Sequence, residues 1–190
     1  NTKNFRLFQL NWGTKSTANA AEKRLEDDKS LANFSKQLFR VLTSAENNDI
    51  IYSVNASGSY PLSDNIAISG GIAWSVATLI RPEAAGQTVV PVTYQEVAEF
   101  ADRIYTDYGS LNENAITAKL NLSKADKDII AKEVKRVNVV FDQKSLMAGT
   151  GLLLKIMRQF SSAYETKQFF LIKNGQVGWI SAYVDQHTSN

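Results

Sequence analysis

Side chains suited to acid–base or nucleophilic chemistry are few in this chain, and their positions limit what it can do. His187 is the only histidine, and it stands near the C-terminus in a polar stretch. A general base must be held in place by surrounding hydrogen bonds, which a polar terminal stretch rarely supplies. His187 is therefore expected to be a solvated residue. Cysteine is absent. Without cysteine or a second histidine, Ser-His-Asp and Cys-His mechanisms, thiolate metal centres and disulfides are all excluded. No metal site and no cofactor is expected.

Paired carboxylates are the remaining route to hydrolytic chemistry. Glu22 with Glu26, Glu96 with Glu99, and Asp126 with Glu133 each place two acids on neighbouring helical turns. All three pairs lie among lysines and arginines, so solvated faces and i,i+4 ion pairs account for them. Gly149-Thr150-Gly151, followed by Lys155, lacks the spacing and the ending of a phosphate-binding loop. The expectation there is a stretch of small residues where another helix or strand crosses closely.

The one local excess of positive charge runs over residues 119–136, with Lys144, Lys155 and Arg158 further on. Lys124, Lys127, Lys132, Lys135 and Arg136 fall opposite the apolar stripe of a predicted helix, where phosphates of a nucleic acid would meet them. A solvated helix face, diluted by Asp126, Asp128 and Glu133, is the competing reading. The formal charge of +2, from 21 basic and 19 acidic residues, permits a polyanionic partner without demanding one. Asn-x-Ser sequons at Asn33, Asn55 and Asn121 are no more than this composition gives by chance.

The elements that position these residues follow from periodicity and caps. Residues 5–12, with Phe5, Leu7, Phe8, Leu10 and Trp12, read as an aromatic strand with a one-residue slip. Thr14 or Ser16 opens a helix reaching about residue 44, with Leu25, Leu31, Phe34, Leu38 and Leu42 inward. A β-rich middle begins at Ile50 and continues through Ile66, Ile68, Ile72, Trp74, Val76, Thr78 and Ile80, which keep a period of two. A short strand follows at 88–90. Thr93 to Glu96 is a capping box opening a helix that ends before Gly109. A short helix over 112–120 comes next. A second capping box, Ser123 to Asp126, opens a helix with Ile130, Val134, Val137 and Phe141 in register. After Asp142 a long helix carries Leu146, Leu153, Ile156, Met157, Phe160 and Tyr164. Asn174-Gly175 between 169–173 and 176–180 signals a type I′ hairpin, apolar on both faces. From about residue 185 the tail is polar.

These elements describe one domain over 1–190, with the size and 44% hydrophobic content to bury a core. The fold class is α+β: helix-rich, with a mainly antiparallel sheet that includes the C-terminal β-hairpin. No stretch is apolar and long enough to span a membrane. The first residue, Asn1, is not methionine, so the natural start is expected upstream.

The two-faced hairpin and the aromatic strand imply surplus apolar surface, with Phe5, Phe8, Trp12, Phe169 and Trp179 at a homo-oligomer interface. The leading expectation is a non-enzymatic subunit of a coat, nucleocapsid or filament, contacting nucleic acid through the basic helix, in a virion or another extracellular or cytoplasmic assembly. The alternatives are an enzyme using carboxylates or tyrosine on a polar substrate, and a secreted binding or toxin-like module.

Overall fold

The computed structural model describes residues 9–44, 51–52, 55–56, 64–161 and 167–175. Among these, the α-helices are α1 (Thr14–Glu22), α2 (Leu31–Thr43), α3 (Gly71–Ile80), α4 (Tyr94–Thr106), α5 (Glu113–Ala118), α6 (Lys124–Val140) and α7 (Gln143–Phe160). The strands are β1 (Asn65–Ser69), β2 (Val89–Val92) and β3 (Gln168–Ile172). The fold is helix-rich α+β.

Local chemistry sets most helix starts. Thr93 Oγ1 accepts from Glu96 N at 3.1 Å while the Glu96 carboxylate accepts from Thr93 N at 2.8 Å, the reciprocal box the sequence predicts. Asn112, Ser123 and Asp142 cap α5, α6 and α7 through the amides of Ala115, Asp126 and Ser145. The α6 stripe of Ile130, Val134, Val137 and Phe141 is buried, as is the α7 stripe of Leu146, Leu153, Ile156, Met157 and Phe160.

Helix α7 is the axis of the core. It packs against α1, α2, α3 and α4. A Cβ on Gly149 would strike the Ile72 side chain and come within 2.9 Å of Thr14 Oγ1; one on Gly151 would come within 2.7 Å of Leu42 Cδ1. The small-residue stretch is therefore a close helix crossing, as its composition predicts. It is not a phosphate loop, being buried mid-helix.

The sheet differs from expectation. Its order is β1-β3-β2, with β1 parallel to β3 (Asn65 opposite Gln168) and β2 antiparallel to β3 (Val89 opposite Ile172). The sheet is mixed, and β3 is its centre. Among the described residues both edges of β3 are filled, by β1 and β2, and the second strand of the predicted hairpin, 176–180, lies outside the described residues. Gly175 lacks the positive φ of a type I′ turn, since Gly70 (φ 125°) is the one such glycine among the described residues. Pro91 sits on β2, an edge strand, where its missing N–H leaves no ladder bond unmade.

Two further expectations are corrected. Residues 71–80 form a helix, because Ala73, Ser75, Val76, Ala77, Thr78 and Leu79 are all buried and no polar face marks the helical period. The predicted helix over 14–44 is broken at 23–30: Asn33 Nδ2 donates to Leu25 O and Asp28 O, and Ser30 caps a second helix. Of the aromatic N-terminal strand, residues 1–8 lie outside the described residues, and 9–12 form no strand, Leu10 and Trp12 packing half-buried against the core. Residues 51–52 are helical where a strand was expected.

Candidate functional site

The basic helix α6 is held at both ends. Ser123 caps its start, and near its C-terminus Asn138 Nδ2 donates to Leu111 O at 3.1 Å. Just beyond, Gln143 Nε2 donates to Ile104 O at 2.8 Å, tying the α6–α7 junction to α4. This anchoring presents the C-terminal half of α6 beside the starts of α1, α3 and α7. Between them lies an open cleft of about 940 Å³.

Its wall on the α6 side carries Lys132, Lys135, Arg136, Val139 and Val140; Lys15 comes from α1, and Trp74 with Phe141 makes the aromatic part. Trp74 and Phe141 lie with ring centroids 6.4 Å apart at 52°, and the Arg136 guanidinium stands over the Trp74 ring, 5.5 Å from its centroid. Val139 is 79% exposed and Val140 59%, unusual for two β-branched apolar residues side by side. Arg136 also pairs with Glu133 at 2.6 Å. Lys15, Lys132 and Lys135 form no ion pair among the described residues, and no carboxylate lines the cleft.

A smaller recess of about 210 Å³ shares Trp74 and Arg136 with this cleft and reaches Gly70 and Lys173. Gly70 makes the abrupt passage from β1 into α3 at φ 125°, ψ 178°, a region open essentially to glycine alone, and supplies no side-chain cap. Lys173 is committed elsewhere. Its Nζ donates to Ala84 O at 2.7 Å and Ala85 O at 2.8 Å, and burial holds it below the usual lysine value despite the opposing Glu133 charge.

Of the five basic residues predicted to meet phosphates, Lys132, Lys135 and Arg136 converge on the cleft. Lys124 and Lys127 do not line it, Lys124 lying about 12 Å further along the helix axis from Lys132. Lys15 and Trp74 went unpredicted. The first comes from a distant segment, and the second was assigned to a strand.

Other basic residues serve the fold. Lys144 pairs with Glu22 at 3.6 Å and lies over the Phe34 ring, and Lys155 Nζ donates to Leu42 O at the end of α2. Most of the paired carboxylates are likewise engaged, while Glu26 lies beyond the end of α1. Glu96 belongs to the cap of α4 and pairs with Arg81, Glu99 accepts from Gln95, and Asp126 accepts from Ser123.

Among the predicted interface residues, Phe169 is 5% exposed and belongs to the buried core, so it offers little surface to a second copy. Trp12 is half-buried, while Phe5, Phe8, Trp179 and His187 lie outside the described residues. Exposed apolar side chains occur instead at Phe39 (69%) and Tyr105 (42%), which share a groove between α2 and α4, and at Ile129, Val139 and Val140 on α6.

Among the described residues, no helix is long and apolar enough to cross a membrane, and no cluster of acidic or histidine side chains could hold a metal ion. No protein-family model, curated protein or solved structure matches the chain.

Proposed function

We propose that this chain is a non-enzymatic structural subunit that self-associates into a repeated assembly and contacts single-stranded nucleic acid along α6. The observation that carries the reading is the cleft wall itself. Among the described residues, four cationic side chains, three of them without an ion pair, surround aromatic and apolar surface, and no carboxylate lines the cleft. Grooves that track a polynucleotide combine cations for the backbone with aromatic faces for the bases.

Self-association rests on the exposed apolar groups. The Phe39–Tyr105 groove and exposed Ile129 on α6, which does not line the cleft, belong to different elements. Contact between two unlike patches on successive subunits is head-to-tail, and such contacts build rings or open filaments. The proposed interface uses residues other than Phe169, which is buried.

The test is a mass distribution measured at micromolar concentration, with and without a single-stranded oligonucleotide. Discrete multimers that dissociate in Phe39→Glu or Ile129→Glu variants support the assembly. A protein that stays monomeric under all these conditions removes it, and the nucleic-acid half then stands or falls on binding alone.

A further inference from the structure

We infer that the cleft between α6 and the starts of α1 and α3 seats one nucleotide of a single strand, its base against Trp74, Arg136 and the Val139–Val140 lip, its phosphates on Lys15, Lys132 and Lys135. This rests on the nucleic-acid reading above and narrows it from backbone contact to base insertion.

Phosphate contact alone requires no cavity, since lysines on an open helix face would serve. Here the lysines rim a cleft of about 940 Å³, within the range of sites that enclose small molecules. Its apolar part is not built for a phosphate. Trp74 offers a π-system and the exposed Val139 and Val140 offer branched alkyl groups beside the largely buried Phe141, whereas the cations stand around them.

An anion with a flat apolar part satisfies both regions at once, and a nucleotide is such an anion. Arg136, already over Trp74 at 5.5 Å, supplies a planar cation on which an unpaired base can stack. The exposed lip formed by Val139 and Val140 would lose its contact with water under that base. A duplex does not fit this account, because its bases are stacked and paired and would have to be extruded first. An acidic peptide matches the charge but leaves the aromatic part unused.

Three tryptophans are present, so replacing Trp12 and Trp179 by Phe leaves Trp74 as the sole indole reporter. This protein is titrated at one moderate salt concentration with an oligothymidylate of about eight nucleotides, an abasic strand of equal charge and poly-glutamate. The oligothymidylate should bind on the order of tenfold tighter than the abasic strand and quench Trp74, as one stacked base does. In the parent background, Trp74→Leu should erase that preference while abasic binding persists.

Equal affinity for both strands without quenching, in a protein whose binding still weakens with salt, overturns base insertion and leaves phosphate contact standing. Binding of neither strand overturns both. Poly-glutamate that matches the oligothymidylate in affinity and quenching assigns the cleft to an acidic peptide and overturns the nucleotide.

Discussion

Lysines do two different things in this molecule, and their surroundings separate them. Lys155 and Lys173 donate to backbone carbonyls of Leu42, Ala84 and Ala85, and burial lowers both below the ordinary lysine value. Lys132 and Lys135 stand exposed on α6. Replacing Lys173 by Met should therefore cost about 1–3 kcal/mol in a denaturant melt, the penalty for leaving carbonyls unpaired, and leave oligonucleotide affinity unchanged. Reduced affinity in that variant would bring Lys173 into the site.

Glu96 gives a pH-dependent counterpart. Burial raises its carboxyl, but hydrogen bonds from Thr93 and the Arg81 charge outweigh that, and its value falls below the ordinary 4.5. A folded-state value below the unfolded one contributes stability above pH 4.5 that is lost as pH falls through the folded value. Glu96→Gln should then melt about 2–4 °C below the parent at neutral pH, for a loss of about 1 kcal/mol, and the gap should close in acid. A gap that persists unchanged at low pH would mean that the carboxylate charge contributes nothing.

At the scale of elements, the sequence is legible where a few neighbouring residues decide the outcome. The caps at Thr93, Asn112, Ser123 and Asp142 each depend on a side chain meeting an amide three residues on, so four helix starts follow from short stretches alone. The elements that misled are those decided by distant partners. In α3 the bulky residues at alternate positions imitate a strand because most of the helix is buried and no polar face marks its period. The Asn174-Gly175 pair points to a hairpin, yet β1 and β2 occupy both edges of β3.

Gly175 remains a sensitive position for another reason, as a Cβ there would run into the Ser69 hydroxyl. The strongest test at this scale is α7. Phe160 has no exposed surface, so Phe160→Ala should cost about 3–5 kcal/mol. Gly149→Ala should cost about 1–3 kcal/mol by forcing Ile72 and Thr14 away from the crossing. If either variant has the parent's denaturant midpoint, α7 is not the axis of the core.

For the whole molecule, the α+β class and the helix-rich balance could be read in advance, whereas strand order could not, since pairing joins segments about a hundred residues apart. The candidate site divides along the same line. Lys132, Lys135 and Arg136 stood out because one helix face gathers them. Lys15 and Trp74 join them only because α1 and α3 start beside α6 in the fold. The proposed cleft is thus a property of the tertiary arrangement, and its central claim is that these cations act together on phosphates.

The most direct measurement is the affinity of a fluorescent single-stranded oligonucleotide across a salt series, for the parent and for Lys15→Gln, Lys132→Gln, Lys135→Gln combined. All three side chains are in or at the rim of an open cleft and support no ion pair among the described residues, so the variant should fold as the parent does. The parent's affinity should fall steeply with salt, and the variant's log–log slope should be shallower by about 0.7 for each lost contact, roughly 2 in all. A parent that does not bind, or a variant that keeps the parent's affinity and slope, would contradict the account.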